Sequence, residues 1–77
     1  MAKYNFQIVI EQDEDGVYVA SVPSLPGCYT QGDTFEEALK NIEDVIEMVV
    51  QELKEERKQI PTQYPEVIGL KRITITV

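Results

Sequence analysis

The feature that most constrains the fold of this chain is one apolar stripe between residues 35 and 53. Apolar residues recur there at spacings of three and four positions, which is the period of a single helix face. The stripe comprises Phe35, Ala38, Leu39, Ile42, Val45, Ile46, Val49 and Leu53. Charged residues occupy many of the positions between them, so the sequence predicts one long amphipathic helix that needs an apolar surface to cover.

Local signals define both ends of this helix. Thr34 is placed to cap the first turn, and Glu37, three positions later, is placed to reach back to it. Asp33 and Glu37 also suit the positive end of the helix dipole. Pro61 cannot continue a helix, which limits the far end. The helix is therefore expected to begin directly after Thr34.

Alternating apolar residues predict strands on both sides of the helix. The four predicted strands are residues 3–11, 17–22, 28–31 and 70–77. The acidic stretch 12–16 ends in Gly16, a residue that easily takes positive φ, so it predicts a hairpin turn between the first two strands. Pro23 and Pro26 lack a backbone donor and are expected to stop strand pairing before the third strand.

This order predicts an α+β fold of the type β-β-β-α-β. The first three strands are expected to pair as a meander, and a right-handed crossover through the helix places the fourth strand beside the first. The predicted sheet is therefore four-stranded and mixed, in the order 3-2-1-4, with one long helix on one face. The other face is half polar and can pair with a partner. A chain of 77 residues has room for one domain, residues 1–77.

The charge balance limits the partners of the chain. Seven Lys and Arg residues stand against fourteen Asp and Glu residues, which gives a net charge of -7. Such a field repels phosphate, so direct binding to nucleic acid is not expected. It speeds association with a basic partner, although an acidic balance also serves solubility alone.

The single cysteine, Cys28, has two interpretations. A catalytic thiolate is usually generated by a nearby histidine or a helix N-terminus, and the sequence contains no histidine. The same composition leaves no Cys/His zinc site. A buried structural cysteine is therefore the favoured interpretation.

The acidic residues near the first turn raise the question of metal binding. A calcium loop needs alternating oxygen ligands and a distal glutamate between two helices, whereas these acids surround a hairpin turn. Two-metal nuclease chemistry of the ribonuclease H type needs acids in the middle of the first strand and near the fourth, and the sequence has none there. No metal, cofactor or enzymatic activity is therefore predicted.

Targeting signals are not apparent in the sequence. The first 16 residues lack the uninterrupted apolar region and small-residue cleavage site of a signal peptide. No apolar run approaches the roughly 20 residues that cross a bilayer. A cytoplasmic location without membrane contact is therefore expected.

One combined motif suggests a family. Residues 22–28 read Val-Pro-Ser-Leu-Pro-Gly-Cys, and residues 32–39 read Gly-Asp-Thr-Phe-Glu-Glu-Ala-Leu at the helix start. With the acidic turn before Tyr18, they resemble the HicB family of antitoxins, over positions 4–50. The structural residues of this motif are Gly27, Cys28, Gly32, Asp33, Thr34 and Glu37. The resemblance implies a partial ribonuclease H fold without catalytic residues.

The resemblance also implies a protein that acts by binding. HicB proteins neutralise HicA toxins, which are small basic ribonucleases that cleave messenger RNA, and an acidic chain suits such a partner. A homo-oligomer, dimer or tetramer, is expected through the uncovered sheet face or an edge strand. Many HicB proteins carry a C-terminal DNA-binding domain, whereas this sequence ends in a predicted strand at Val77, so autorepression is not expected.

Two stretches are predicted to form the partner surface. They are the acidic turn with Glu11, Asp13, Glu14 and Asp15, and the proline loop with Pro23, Leu25 and Pro26. The prolines and Gly27 are expected to hold this loop rigid, which lowers the entropy cost of binding. One alternative stays open: a module of the same fold that binds another protein or a small ligand and has no toxin partner. An enzyme ranks third, after these two hypotheses, because the sequence offers no nucleophile, general base or set of metal ligands.

Overall fold

The structure is a computed structural model and describes residues 3–61 and 68–77. Its elements are β1 (Val9–Gln12), β2 (Tyr18–Ser21), β3 (Tyr29–Gly32) and α1 (Phe35–Glu55). β1 pairs antiparallel with β2, and β2 pairs antiparallel with β3, which gives a meander in the order β1-β2-β3. The architecture is α+β, with α1 packed on one face of the sheet.

The four-stranded mixed sheet of order 3-2-1-4 predicted from the sequence is wrong. Over the described residues the sheet has three strands, and every neighbouring pair is antiparallel. Residues 70–77, predicted as the fourth strand, form no strand and are exposed. Alternation shows which side chains would share a face, but a strand also needs a partner edge for its backbone hydrogen bonds.

β1 is also shorter than the predicted strand over residues 3–11. Val9 lies opposite Ser21 in the ladder, so continuing the same register would place Gln7 opposite Pro23. Proline has no backbone N–H to donate, and β2 ends before it. Pairing with β2 therefore begins only at Val9.

The core lies between the sheet and the first half of α1. The register aligns Ile10, Ala20 and Thr30 in one row across the three strands, on the face that α1 covers. Ala38 and Ile42 of the helix have no exposed surface. The buried apolar residues are Ala20, Val22, Leu25, Cys28, Ala38 and Ile42. The predicted apolar stripe therefore faces the sheet except at Phe35, which is 48% exposed, and Ala38 and Ile42 are its best buried members.

Gly32 allows the closest approach between α1 and the sheet. A Cβ atom built at Gly32 would lie 2.5 Å from the backbone nitrogen of Ala38, well inside van der Waals contact. The side-chain Nδ2 of Asn41 donates a hydrogen bond to the carbonyl of Gln31 at 2.9 Å. These two contacts fix the start of α1 directly over the end of β3.

The predicted N-cap of the helix is confirmed. The backbone N–H of Glu37 donates a hydrogen bond to Oγ1 of Thr34 at 3.0 Å, and Thr34 has the extended backbone of an N-cap. Glu36 and Glu37 lie in the first turn, where their negative charges interact favourably with the positive end of the helix dipole. Thr34 therefore fixes the beginning of α1 in the manner its sequence position predicts.

The other end of α1 closes with a left-handed residue. Arg57 has a φ of 57°, a region in which glycine is usual. Its N–H donates to the carbonyl of Lys54 at 3.1 Å, and the N–H of Lys58 donates to the carbonyl of Leu53 at 2.9 Å. This pair of bonds is the Schellman motif. It ends the helix before Pro61 is reached.

Candidate partner-binding surface

The acidic turn, residues 13–16, joins β1 to β2 at one end of the sheet. Oδ1 of Asp13 accepts hydrogen bonds from the backbone N–H groups of Asp15 and Val17, each at 2.9 Å. Asp13 therefore organises the turn, as aspartate commonly does. The carboxylates of Glu14 and Asp15 are exposed at its tip. The turn presents negative charge on a backbone that is held in a defined shape.

No cluster of three or more His, Cys, Asp or Glu side chains in the described ranges, 3–61 and 68–77, is arranged to hold a metal ion. The exposed position of the acidic turn agrees with its interpretation as a solvated loop. Electrostatic attraction from such exposed charges is long-ranged at low salt and screened at high salt. The turn is therefore suited to attracting a basic molecule.

The proline loop, residues 22–28, consists of two consecutive β-turns. The N–H of Leu25 donates to the carbonyl of Val22, and the N–H of Cys28 donates to the carbonyl of Leu25, each at 3.0 Å. Each turn has a proline at its second position, where a fixed φ favours turn formation. Gly27 follows the second proline with a φ of 79°, the value that a type II turn requires there.

Burial differs among the three predicted contact residues of this loop. Leu25 is only 3% exposed and belongs to the core, so its side chain anchors the loop and does not form part of the surface. Pro26 is exposed and Pro23 is half-buried. The sequence pattern could not separate these roles, because it assigns the whole loop to the surface.

Ser24 is a further residue of the proline loop that sequence reasoning missed. It is 6% exposed, and its Oγ has no hydrogen-bond partner among the described residues. A buried hydroxyl without a partner costs on the order of 1–3 kcal/mol. Packing of the two turns on the core is therefore accompanied by the free-energy cost of this buried hydroxyl.

Cys28 has the environment of a structural residue. It is a free thiol with 3% of its surface exposed, and burial raises the pKa of this thiol above its ordinary value. A raised pKa lowers the fraction of thiolate, which is the nucleophilic form. The burial and the pKa direction both favour the structural interpretation over the catalytic one.

The structure does not bring the two predicted partner-binding stretches together. The acidic turn precedes β2 and the proline loop follows it, so the two lie at opposite ends of this strand. From Val17 to Val22 an extended chain covers about 17 Å. A partner that contacts both stretches must therefore lie along the sheet.

The face of the sheet opposite α1 connects the two stretches. Successive side chains of a strand point to opposite faces of the sheet. The residues that alternate with the helix-facing ones therefore lie on this face. We call it the open sheet face; its residues are Val9, Ser21 and Tyr29 in one row and Glu11, Val19 and Gln31 in the next. Glu11 borders the acidic turn, whereas Tyr29 borders the proline loop. The open sheet face therefore spans the distance between the two predicted stretches.

Tyr29 is the feature of this face that sequence reasoning missed. Tyr29 is 68% exposed, and the ladder places it beside Ser21. Successive residues of a strand face opposite sides, and Tyr29 lies three positions before Gly32, which faces the helix. This spacing places Tyr29 on the side away from the helix and is the signal that could have predicted its exposure. A large amphipathic side chain on an exposed sheet face is typical of binding surfaces.

Comparisons with known proteins give consistent findings. A family model described as "HicB_like antitoxin of bacterial toxin-antitoxin system" matches residues 6–71. A UPF0150 protein of Synechocystis is 39% identical over 97% of this chain and 100% of its own length. A UPF0150 protein of Thermoplasma acidophilum is 46% identical over 82% of this chain and 91% of its own length. The similarity therefore extends over both the strands and the helix.

A solved structure is similar to most of this chain. The N-terminal domain of the Burkholderia pseudomallei antitoxin HicB superposes with a TM-score of 0.65 at 33% sequence identity. The match covers 71% of this chain and 65% of that one. No helix within the described ranges combines the length and the hydropathy that crossing a membrane requires.

Proposed function

Because this chain belongs to the HicB-like antitoxin family of bacterial toxin–antitoxin systems, we propose that it binds a small basic ribonuclease of the HicA class and blocks its cleavage of messenger RNA. The observation that carries the proposal is the open sheet face, an exposed surface with apolar residues at its centre and carboxylates at one end. Inhibition then needs only that this surface cover the active face of the toxin.

The chemistry of the surface suits a basic protein. Val19 and Tyr29 offer apolar and aromatic contact area, and interfaces commonly combine such a centre with a polar rim. Glu11 and the acidic turn add negative charge at one end. The net charge of -7 speeds the encounter with a positively charged partner.

The proline loop supports the other end of this surface. Cys28 ends the loop and is directly followed by Tyr29, so the two turns of the loop set where the tyrosine ring lies. Pro26 and Gly27 are exposed next to it and extend the surface. A backbone restricted by prolines loses little conformational entropy when it binds. We propose that the loop lowers the entropy cost of toxin binding in this way.

Further features of the proposal concern assembly and location. We propose that the inhibitor acts as a homo-oligomer, since it is a small chain with exposed apolar residues. Because the proposed toxin cleaves messenger RNA, we expect the complex to lie in the cytoplasm. The inhibitor contributes contacts to the toxin and no catalytic group to the reaction.

Titration calorimetry against a catalytically inactive HicA-like protein from the same genome tests the proposal. Measurements at low and high salt should show tight binding that weakens as salt screens the exposed carboxylates. Tight binding without salt dependence would remove the electrostatic part of the proposal. The absence of binding at either salt concentration would favour the alternative, a module of the same fold with a different protein or small-molecule ligand.

A charge-matched pair of variants locates the surface. Glu14→Gln combined with Asp15→Asn removes two charges from the acidic turn, and Glu52→Gln combined with Glu55→Gln removes two from exposed positions of α1. The first pair should weaken binding by roughly tenfold and reduce its salt dependence, because rim charges act mainly on association. The second pair should change affinity less than about threefold. Equal effects would mean that the turn has no special role.

Tyr29→Ala tests the end of the surface that borders the proline loop. Tyrosine anchors commonly contribute more than about 2 kcal/mol to an interface, so affinity should fall at least about 30-fold. Tyr4→Ala is the matched control, because Tyr4 is also an exposed tyrosine but lies outside the open sheet face. A toxin complex that tolerates Tyr29→Ala as well as Tyr4→Ala would exclude this face.

A further inference from the structure

Residues 70–77 have the sequence of a strand but no strand partner in the described structure. Apolar and polar side chains alternate along them, with Ile73, Ile75 and Val77 on one side. The side chains of Ile73 and Ile75 are 70% and 75% exposed. Such an alternating, β-branched segment gains stability only when its backbone and its apolar side are both covered.

The sheet has an edge that could receive such a segment. Asp13 donates its N–H to the carbonyl of Val17 at 2.9 Å, so the pair next to Gln12 and Tyr18 has its backbone groups directed toward each other. Hydrogen-bonded pairs alternate along antiparallel strands, which directs the backbone groups of Ile10 and Gln12 away from β2. Within the described ranges, no strand pairs with β1 on that side.

The segment starts near this edge and then leaves it. Leu70 lines a cavity of about 290 Å³ together with Gln7, Ile8, Val9 and Ile10. Leu70 is nevertheless 84% exposed, and the residues beyond it are exposed as well. The radius of gyration is 14.6 Å, compared with about 11.5 Å for a closely packed chain of this length. The apolar side of the segment is therefore in solvent although a strand edge lies close to its first residue.

We propose that residues 70–77 pair with the outer edge of β1 in a second copy of this chain. Strand exchange of this kind satisfies the backbone of both the segment and the edge. It also places Ile73 and Ile75 against the apolar side of β1 and of the residue before it, on which Ile10 and Ile8 lie. A mutual exchange between two copies is closed by a two-fold axis, so both edges are used and no edge stays open.

Charge favours a second copy as the occupant. Residues 68–77 contain Lys71 and Arg72 and no acidic residue, whereas β1 and the turn after it carry Glu11, Asp13, Glu14 and Asp15. The chain as a whole is strongly acidic, so this segment is a locally basic part of it. Exchange brings opposite charges together where two acidic copies would otherwise repel each other.

This inference rests on the oligomeric part of the proposed function and is independent of the toxin. The family match ends at residue 71, so most of the segment lies beyond it. The surface it uses is the edge of β1 and the helix-covered side of the sheet, whereas the proposed toxin surface is the opposite face. Failure of the strand exchange therefore leaves the toxin-binding part of the proposed function standing, and loss of toxin binding leaves the strand exchange standing.

The oligomeric mass of the full-length chain is the first test. Light scattering over a concentration series should give at least twice the 8.8 kDa chain mass. Ile73→Asp and Ile75→Asp should raise the dissociation constant at least about tenfold, since each places a charge where an apolar side chain is buried. Thr74→Asp is the matched control, because it adds the same charge to the opposite side of the segment, and it should have less than about a threefold effect.

Isotope-filtered NMR on a co-refolded mixture of labelled and unlabelled chains separates exchange from pairing within one chain. Exchange gives contacts between the methyl groups of Ile73 or Ile75 in one copy and those of Ile8 or Ile10 in the other. A monomer at every concentration, an oligomer that tolerates Ile73→Asp, or contacts found only within single chains would each overturn the proposal. The substituted residues are exposed in the single chain, so circular dichroism of the variants should show the helix unchanged.

Discussion

The two halves of α1 carry the same kind of apolar stripe but meet different surroundings. The half that follows Thr34 packs on the sheet, and Ala38 and Ile42 in it have no exposed surface. In the second half, Val49 and Leu53 are only half-buried, and Met48 is exposed. The difference shows that the stripe gives the helix its apolar face but does not determine how much of that face is covered.

The dimensions of the elements explain the difference. A helix of 21 residues is about 31 Å long, whereas strands of four residues are about 13 Å long. The second half of α1 therefore extends beyond the sheet. A groove of about 680 Å³ lies there, lined by Tyr4 and Phe6 as well as the helix. The packed half holds the fold together, and the extended half leaves apolar surface exposed.

Paired truncations should separate the two halves most strongly. Ile42→Ala removes a fully buried side chain and should lower the free energy of unfolding by about 2–5 kcal/mol. Leu53→Ala in the extended half should cost about 1 kcal/mol, because part of that side chain is already in water. Urea denaturation followed by circular dichroism measures both. Similar costs at the two positions would mean that the second half is covered in solution.

A substitution at the contact between β3 and α1 should have the next largest effect. Gly32→Ala places a methyl group 2.5 Å from the nitrogen of Ala38, so the helix must shift and stability should fall by about 1–3 kcal/mol. Gly69→Ala is the matched control, since its added Cβ would meet nothing within 4 Å. If thermal unfolding shows the two variants equally stable, α1 does not depend on this close approach.

Removal of the N-cap tests the packed half from its beginning. Thr34→Ala deletes the oxygen that accepts the N–H of Glu37 and should cost about 1 kcal/mol. Thr34→Ser retains the hydroxyl and should restore most of that loss. Denaturant midpoints of the two variants provide the measurement, and a serine variant as unstable as the alanine one would assign the effect to the lost methyl group.

The smallest expected effect is a gain at the extended end. Arg57 adopts a left-handed backbone, and glycine adopts this conformation without steric cost. Arg57→Gly should therefore stabilise the chain by about 0.5–1 kcal/mol. Lys58→Gly serves as the control, because the φ angle of Lys58 is not positive. This variant should show no gain in stability. A loss of stability in Arg57→Gly would show that the arginine side chain has a further contact.

Much of the fold followed from local patterns. The hairpin turn, the two prolines, the N-cap and the helix stripe each lie where the sequence predicts them, because each depends on residues within one or two turns of chain. The bounds of β1 and the fourth strand did not follow. Both depend on a partner strand, and the alternation in residues 3–8 or 70–77 is the same whether that partner is present or not.

The candidate surface divides in the same way. The exposed acids of the turn were evident from the sequence, since charged turn residues are almost always solvated. The burial of Leu25 and the exposure of Tyr29 were not, although both are apolar or aromatic residues of one short stretch. Their roles depend on which side of the sheet α1 covers, and that side is defined by contacts between residues distant in sequence.

The sequence by itself determined the helix, its capped beginning, the turns and the acidic character of this protein, because propensity, periodicity and charge are properties of neighbouring residues. Only the tertiary structure decided the strand register, the close approach at Gly32 and the open sheet face with Tyr29 on it. The physical reason is that backbone pairing and burial require two surfaces to meet. A pattern in one segment describes only one of them.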